Sequence, residues 1–229
     1  PHDAGDLVGG QTDRGRERLG GPGLLDHDPA TIASDKTEGA YVSVPLTLPE
    51  EGSLLFWYYV GDLYNYQSLW DTSGDGNDWE MWIYSDGLVR GRLNSNVGQV
   101  SYYLDQPNSW YHMAYTWKKG DQARYWVNGV EVDTESAVRT ITDEQFDAAI
   151  LGDTFYLAGG NVGNTFANGA FDDVRIYDAV LDGAAIQAIQ AEGDPPVTVA
   201  PSDPATLLLQ WDFEGDFLDS SGNGLDGTL

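Results

Sequence analysis

Residues 109–132 read SWYHMAYTWKKGDQARYWVNGVEV, and this stretch decides the fold. Two runs rich in aromatic residues flank a polar turn, and the second run leads into the pair Asn128-Gly129. An Asn-Gly pair between apolar runs is a strong hairpin signal, because both residues accept the positive φ that a type I′ turn requires. The stretch therefore predicts consecutive antiparallel strands joined by short turns.

Strand signals continue on both sides of this stretch at short spacing. Upstream lie AYVSVPLTL (40–48), SLLFWYYVGD (53–62) and three runs joined by Gly/Asp turns within 67–93; downstream lie DTFYLAGG (153–160) and FDDVRIYD (171–178). Many short strands with hairpin turns predict an all-β protein, an antiparallel jelly-roll β-sandwich.

One short C-terminal helix is expected after these strands. Asp182 can cap the run GAAIQAIQAEG, which ends at Gly193 and places Ile186 and Ile189 on one face. The Pro-rich segment DPPVTVAPSDPAT follows the helix and predicts an extended linker. The expected organisation is an extended Gly-rich arm, a sandwich, a linker and a terminal strand segment, at residues 1–38, 39–193, 194–205 and 206–229 respectively.

The charge of the chain excludes one large class of partners. Its 229 residues include 37 acidic and 11 basic ones, a net charge of −26, and only three of the basic residues are lysines. Phosphate binding needs a basic surface, so no nucleic acid is expected as a partner. No apolar run approaches the roughly 18 residues of a membrane helix, so no membrane insertion is expected. The chain has no cysteine, which excludes disulfides and thiolate metal sites.

The stretch at 109–132, followed by GAFDDVRIYDAVLDGAAIQAI at 169–189, resembles the laminin G-like, concanavalin A-like (lectin/glucanase) jelly-roll domains of extracellular proteins. The resemblance covers roughly residues 39–192 and implies the jelly-roll fold. It also implies an extracellular or cell-surface location, and the lack of cysteine favours a prokaryotic source. Because this family is mostly non-catalytic and its ligands vary, we expect no enzymatic activity.

The terminal segment LLLQWDFEGDFLDSSGNGLDGTL (207–229) resembles the piece with which domains of this family usually open. Here it stands at the back of the chain, so it completes either its own sandwich or that of a neighbouring copy. A sandwich without this strand would leave backbone N–H and C=O groups of the neighbouring strand unpaired and would expose apolar side chains of the core. The side chains expected to complete the sandwich are apolar: Leu208, Leu209, Trp211 and Phe213.

Three functions follow from this organisation. The first is a non-catalytic structural or adhesive subunit that assembles into a surface layer or fibre by strand complementation, with identical subunits or tandem repeats as partners. The second is a carbohydrate-binding or cell-adhesion module of a larger surface protein. The third and least favoured is a glycoside hydrolase of the laminarinase-like family 16 type.

The enzyme hypothesis depends on EVDTE, residues 131–135. Glu131, Asp133 and Glu135 alternate and would share one face of a strand, where paired carboxylates can cleave a glycosidic bond. In the laminarinase-like enzymes, however, the catalytic strand precedes the hairpin that EVDTE follows here. A solvated acidic strand face is therefore the preferred interpretation.

A structural calcium ion is the expected cofactor, if any is bound. The turns DTSGDG (71–76) and DSSGNG (219–224) place oxygen side chains at alternate positions before a glycine, although such turns are common without metal. The resemblance implies another site, where the last strand of the sandwich meets the terminal segment. Its candidate ligands are Asp172, Asp173, Asp212, Glu214 and Asp219.

Glycans are the expected small partners. Aromatic residues in SLLFWYYVGD and in WEMWIY (79–84) are expected mostly in the core, since alternate aromatic residues of a sandwich pack inward. Tyr64 and Tyr66 lie in the polar stretch GDLYNYQS and are the aromatic pair expected at the surface. His112 lies within an apolar strand, which indicates packing rather than a metal or catalytic role.

Overall fold

The computed structural model describes residues 41–63, 66–72, 79–93, 97–132, 140–142, 146, 153–159, 166–192, 205–213 and 216–228. The arm expected at 1–38 and nearly all of the linker expected at 194–205 lie outside these ranges. Twelve strands and one helix are described, with these bounds: β1 Val42–Val44, β2 Glu51–Val60, β3 Gln67–Asp71, β4 Trp79–Ile83, β5 Leu88–Leu93, β6 Val97–Tyr103, β7 Ser109–Lys118, β8 Arg124–Val127, β9 Val130–Val132, β10 Phe155–Leu157, β11 Gly169–Tyr177, α1 Gly183–Glu192 and β12 Leu207–Trp211.

The strands form two six-stranded antiparallel sheets, which confirms the predicted jelly-roll sandwich. The first sheet has the order β1-β10-β3-β4-β5-β6, and the second has the order β12-β11-β2-β7-β8-β9. Large aromatic side chains fill the space between the sheets, among them Trp70 and Trp79 from the first sheet and Tyr115 and Trp117 from the second. Trp79 meets Trp117 edge to face across this core, with ring centroids 4.7 Å apart.

The Asn128-Gly129 turn joins β8 to β9 as the sequence predicts. Both residues have positive φ, 50° at Asn128 and 74° at Gly129, which only such residues adopt readily. The amide group of Asn128 also accepts a hydrogen bond from the backbone N–H of His112 at 3.0 Å. The turn is therefore held both by its own geometry and by the neighbouring strand.

The helix α1 covers part of the second sheet on the side away from the core. The Asp182 carboxylate caps it by accepting a hydrogen bond from the Ala185 N–H at 2.8 Å. Ile186 and Ile189 are buried and pack with Leu55 and Ala114 of the sheet. Within the described residues, no helix has the length and apolar character needed to cross a membrane.

The terminal segment completes the sandwich of its own chain in this structure. Strand β12 pairs with β11 at the edge of the second sheet, where Trp211 lies opposite Val174. Near the chain end, Thr228 exchanges two backbone hydrogen bonds with Ser43 of β1, at 2.8 and 2.9 Å. One segment therefore closes an edge of each sheet. Its apolar side chains lie inward, with Leu208 half-buried and these three buried: Leu209, Trp211 and Phe213.

Candidate functional site

The outer face of the first sheet, the side turned away from the core, carries an ordered set of polar and aromatic side chains. Along β4, the residues Trp79 and Met81 are buried in the core, so the alternation of the strand places Trp82 on the outer face. The same alternation along β5 places Val89 inward and Arg90 outward. The sequence interpretation of WEMWIY as core therefore holds for Trp79 and not for Trp82, which is only half-buried.

Strand register arranges these outward residues in two rows across the sheet. The first row crosses four strands as successive cross-strand partners: Ser68, Trp82, Arg90 and Ser101. The second row is the next one along the strands, and a bulge in β3 separates the two rows there. Its members are Tyr156, Asp71, Glu80 and Arg92. Cross-strand partners on one face are close enough to act together. Four residues of the two rows are buried: Ser68, Ser101, Asp71 and Glu80. The rows therefore reach solvent through their half-buried members, which are Trp82, Arg90, Arg92 and Tyr156.

Tyr66 begins a chain of ring contacts on this face. Its ring meets Tyr84 edge to face with centroids 5.1 Å apart. The guanidinium carbon of Arg90 lies 4.9 Å from the centroid of the Tyr84 ring, a cation–π contact. We call Tyr66, Tyr84 and Arg90 the Tyr66 cluster. Tyr66 keeps 49% of its surface exposed, so the cluster combines a solvent-facing ring with a positive charge.

A hydrogen-bonded network fixes the chain next to Tyr66. The Gln67 side-chain oxygen accepts hydrogen bonds from the Tyr58 hydroxyl at 2.7 Å and from the Asn168 N–H at 2.9 Å. The Gln67 amide nitrogen donates to the Asp62 carbonyl at 2.8 Å, and the Asn168 side chain donates to the Asp62 carboxylate at 2.5 Å. Burial raises the pKa of Tyr58, so its hydroxyl stays protonated and donates at all ordinary pH values. The network anchors the residue adjoining the cluster to two strands of the other sheet.

The turn that carries Tyr84 is equally well defined. The Gly87 N–H donates to the Tyr84 carbonyl at 3.0 Å, and the Tyr84 N–H donates to the Leu88 carbonyl at 2.8 Å. Gly87 has a φ of 83°, a conformation that side-chain-bearing residues rarely adopt. The Tyr66 cluster is therefore built on strand ends and a tight turn.

The charges of the second row neutralise one another in part. The Arg92 guanidinium contacts the Glu80 carboxylate, and both side chains are largely withdrawn from solvent. Asp71, on the neighbouring strand, is buried. The row is a compact polar strip beside the aromatic one.

Four of the five calcium candidates are described and lie on β11 or on the terminal segment: Asp172, Asp173, Asp212 and Asp219. Protein groups already bind oxygens of the last three. A β-bulge interrupts β11 between Asp172 and Arg175, and Asp173 within it has a φ of 47°. Asp173 accepts a hydrogen bond from the Arg175 side chain at 2.6 Å. Its burial raises its pKa, which the charge of Arg175 opposes. Asp212 accepts from the Gln210 amide at 2.6 Å and from the Ser220 hydroxyl.

Asp219 organises its own loop. Its carboxylate accepts backbone N–H groups of Gln210, Ser221 and Leu225 at 3.0 to 3.1 Å. Partial burial alone would raise the pKa of Asp219, but these hydrogen bonds outweigh it and lower the pKa. The side chain of Asn223 in the same turn donates to the Leu207 carbonyl of β12 at 2.9 Å. The turn DSSGNG thus holds β12 through the Asp219 carboxylate, whose oxygens a calcium loop would need, and through the Asn223 amide nitrogen.

No three acidic or histidine side chains among the described residues converge in a way that would hold a metal ion. The one carboxylate oxygen of this group found buried without a hydrogen bond, Oδ2 of Asp173, belongs to a carboxylate already paired with Arg175. The described carboxylates therefore do not fit a calcium ion as they are arranged. Glu214, and Ser73, Asp75 and Gly76 of the first turn, lie outside the described residues, so calcium binding stays a prediction.

Two further sequence candidates, Glu131 and His112, lie on the second sheet. Glu131 is on β9 at the edge of the second sheet, is solvent-exposed and faces Arg124 at 3.9 Å. Asp133, Glu135 and Tyr64 lie outside the described residues. His112 is buried against Trp57, with ring centroids 5.2 Å apart.

Residues 35–187 match the model of the Laminin_G_3 family, described as the concanavalin A-like lectin/glucanases superfamily. The match spans well over half of the chain. The chain belongs to this family. This confirms the resemblance drawn from the two sequence motifs, and domains of the laminin G-like type are usually extracellular. No curated protein is significantly similar to the chain in sequence.

Solved structures with the same fold include binding domains of botulinum neurotoxins. The serotype D binding domain is 19% identical with a TM-score of 0.52, over 68% of this chain and 41% of that one. The serotype D/C binding domain is 17% identical with a TM-score of 0.50, over 65% of this chain and 38% of that one. A structure of botulinum neurotoxin type C, whose cell entry is described as dependent on interaction with two ganglioside molecules, is 13% identical with a TM-score of 0.50. The match covers 68% of this chain and 43% of that one. The chain spans about two fifths of these solved chains, and at such identities the likeness shows the shared fold.

Proposed function

We propose that this laminin G-like domain is a non-catalytic, extracellular binding module of a prokaryotic surface protein, and that it holds glycans on the outer face of its first sheet. The observation that carries the proposal is the Tyr66 cluster: a ring 49% exposed, in contact with a second ring that carries a guanidinium. A tyrosine offers an apolar face for a sugar ring and a hydroxyl for its polar groups.

The setting of the cluster supports the same function. Binding sites combine apolar walls with a few polar groups that fix the orientation of the ligand. Here Trp82 lies in the row beside the cluster, and the Glu80–Arg92 pair lies in the next row. The Gln67 network and the Tyr84 turn hold the site in shape, which reduces the entropy lost when a ligand binds. The family name itself joins lectins with glucanases, two classes of protein that hold saccharides.

The test is glycan binding by the full chain and by Tyr66→Ala. We expect wild type to bind members of a glycan array, and Tyr66→Ala to lose about 1 kcal/mol or more of binding free energy, as truncation of a central aromatic anchor usually does. Isothermal titration with the strongest array ligand measures the loss.

Leu218→Ala is the matched control, because Leu218 is an apolar side chain 58% exposed on the terminal segment. It should bind like wild type. A wild-type chain that binds no glycan, or a Tyr66→Ala chain that binds as tightly as wild type, would contradict the proposal.

A second function is favoured by the terminal segment, namely assembly of identical copies or tandem repeats into a surface layer or fibre by strand complementation. The segment touches the edges of both sheets, through β12 on β11 and through Thr228 on Ser43. Because these contacts join elements far apart in the chain, the same contacts can be made by the segment of a neighbouring copy.

A cross-link distinguishes the two pairings, since the chain has no cysteine of its own. Ser43 and Thr228 form a hydrogen-bonded antiparallel pair, and the Cα separation of such a pair suits a disulfide. If copies exchange the segment, the oxidised double variant Ser43→Cys/Thr228→Cys should give a series of disulfide-linked oligomers on a non-reducing gel. Either single variant has one cysteine and can form only dimers. A monomeric band with an internal disulfide would contradict assembly by exchange.

A further inference from the structure

Six lysine and arginine side chains lie in the described part of the chain, and five of them face a carboxylate. The five ion pairs are Arg92–Glu80, Arg124–Glu131, Arg175–Asp173, Lys118–Glu51 and Lys119–Glu50. Arg90 is the sixth, and within the described residues it has no ion pair. The chain has 37 acidic residues and 11 basic ones, so a guanidinium without a carboxylate runs against the composition.

The neighbours of Arg90 leave its charge uncompensated. Its cross-strand partners, Trp82 and Ser101, are uncharged. The next residue on the same face of β5 is Arg92, whose charge Glu80 neutralises. Tyr84 contributes only a ring face, which attracts the guanidinium without neutralising its charge. Among the described residues, no carboxylate therefore pairs with the Arg90 guanidinium.

The orientation of the Arg90 guanidinium defines what it can hold. Its Nε is buried and donates no hydrogen bond, and the side chain as a whole is half-buried. A carboxylate binds a guanidinium through two parallel N–H donors. The two terminal nitrogens of Arg90 carry N–H donors of this kind, and the Tyr84 ring lies next to them, 4.9 Å from the guanidinium carbon.

We propose that Arg90 binds the carboxylate of an acidic sugar, so that the glycan site selects uronic or sialic acid residues over neutral ones. This inference rests on the proposed glycan-binding function: Tyr66 and Trp82 supply rings for the sugar, and Arg90 supplies the charge. The net charge of −26 does not prevent it at physiological salt. Charges more than about 8 Å apart are largely screened there, so the contact at Arg90 dominates.

The experiment compares matched acidic and neutral sugars by isothermal titration at 0.15 M salt, where the Debye length is about 8 Å. One arm uses trigalacturonate and its methyl ester, and the other uses sialyllactose and lactose, which separates uronic from sialic acid. The proteins are the full wild-type chain, Arg90→Gln and Arg124→Gln. Arg124→Gln is the control, because this substitution removes the same positive charge from an exposed ion pair on the second sheet.

We expect wild type and Arg124→Gln to bind the acidic member of at least one pair on the order of tenfold more tightly than the neutral member. Arg90→Gln should bind both members alike. Equal binding of acidic and neutral sugars by wild type, or a preference that survives in Arg90→Gln, overturns the role of Arg90 and leaves glycan binding standing. A wild-type chain that binds no sugar overturns both. Binding of tetraglutamate that depends on Arg90, without sugar binding, would show an acidic peptide as the partner and also overturn both.

Discussion

The buried side chain of His112 makes the stability of the fold depend on pH. His112 is 1% exposed, contacts Trp57, and its Nδ1 has no hydrogen-bond partner. Burial, and next the charge of Arg175, lower the pKa of His112 from 6.5 to about 3. The imidazole is therefore neutral in the folded protein across the whole physiological range.

The sign of the effect follows from proton binding. Below pH 6.5 the unfolded chain protonates His112 and the folded chain does not, so stability falls as pH falls towards 3. We expect this residue to remove about 1.4 kcal/mol of unfolding free energy per pH unit in that window.

Urea unfolding of wild type and His112→Asn at pH 7, 6 and 5 measures the slope. The variant starts less stable because it loses packing against Trp57, but its stability should depend less on pH. Parallel slopes for the two proteins would show that His112 is not the group responsible.

At the scale of single elements, the sequence predicts what neighbours in the chain determine. The Asn128-Gly129 turn and the Asp182 cap depend on a few adjacent residues, and the structure has both. The bulge in β11 at Asp172–Arg175 depends on partners distant in sequence, namely β2 on one side and β12 on the other. No local sequence pattern indicates the bulge, so FDDVRIYD is predicted from sequence as a regular strand.

The terminal strand is the element whose contribution to stability is most easily measured. Trp211 is fully buried, packs near Phe155 and Phe213, and donates a hydrogen bond from its indole to the Leu225 carbonyl at 3.1 Å. Trp211→Ala leaves a cavity and an unpaired carbonyl, so we expect a loss of about 3–5 kcal/mol in unfolding free energy.

Leu218→Ala in the same segment should change stability by no more than about 0.5 kcal/mol, because Leu218 is exposed. Chemical denaturation of both variants provides the comparison. Equal stability of Trp211→Ala and Leu218→Ala would mean that the segment does not complete the core.

At the scale of the whole molecule, the fold was predictable and most of the site was not. Hairpin signals and aromatic strands indicate the sandwich, and the polar stretch around Tyr66 indicates a surface ring. The contribution of Trp82, Tyr84 and Arg90 depends on which side of the sheet faces the core. That choice is set by packing against the second sheet, and a strand with aromatic residues at successive positions does not reveal it.

The lack of an ion pair at Arg90 within the described residues also could not be predicted from the sequence. A chain with 37 acidic residues gives every basic residue many candidate partners. Only the three-dimensional placement shows that the cross-strand partners of Arg90 are Trp82 and Ser101, both uncharged.

An NMR titration shows whether glycans bind on the outer face of the first sheet. The ¹⁵N-labelled full chain is titrated with its strongest array glycan, and amide, indole and arginine side-chain signals are followed. We expect the largest shifts at the Trp82 indole, at Arg90 and at the backbone of β4 and β5, with Trp57 and Trp126 of the second sheet unchanged. Shifts confined to the second sheet or to the terminal segment would contradict the account.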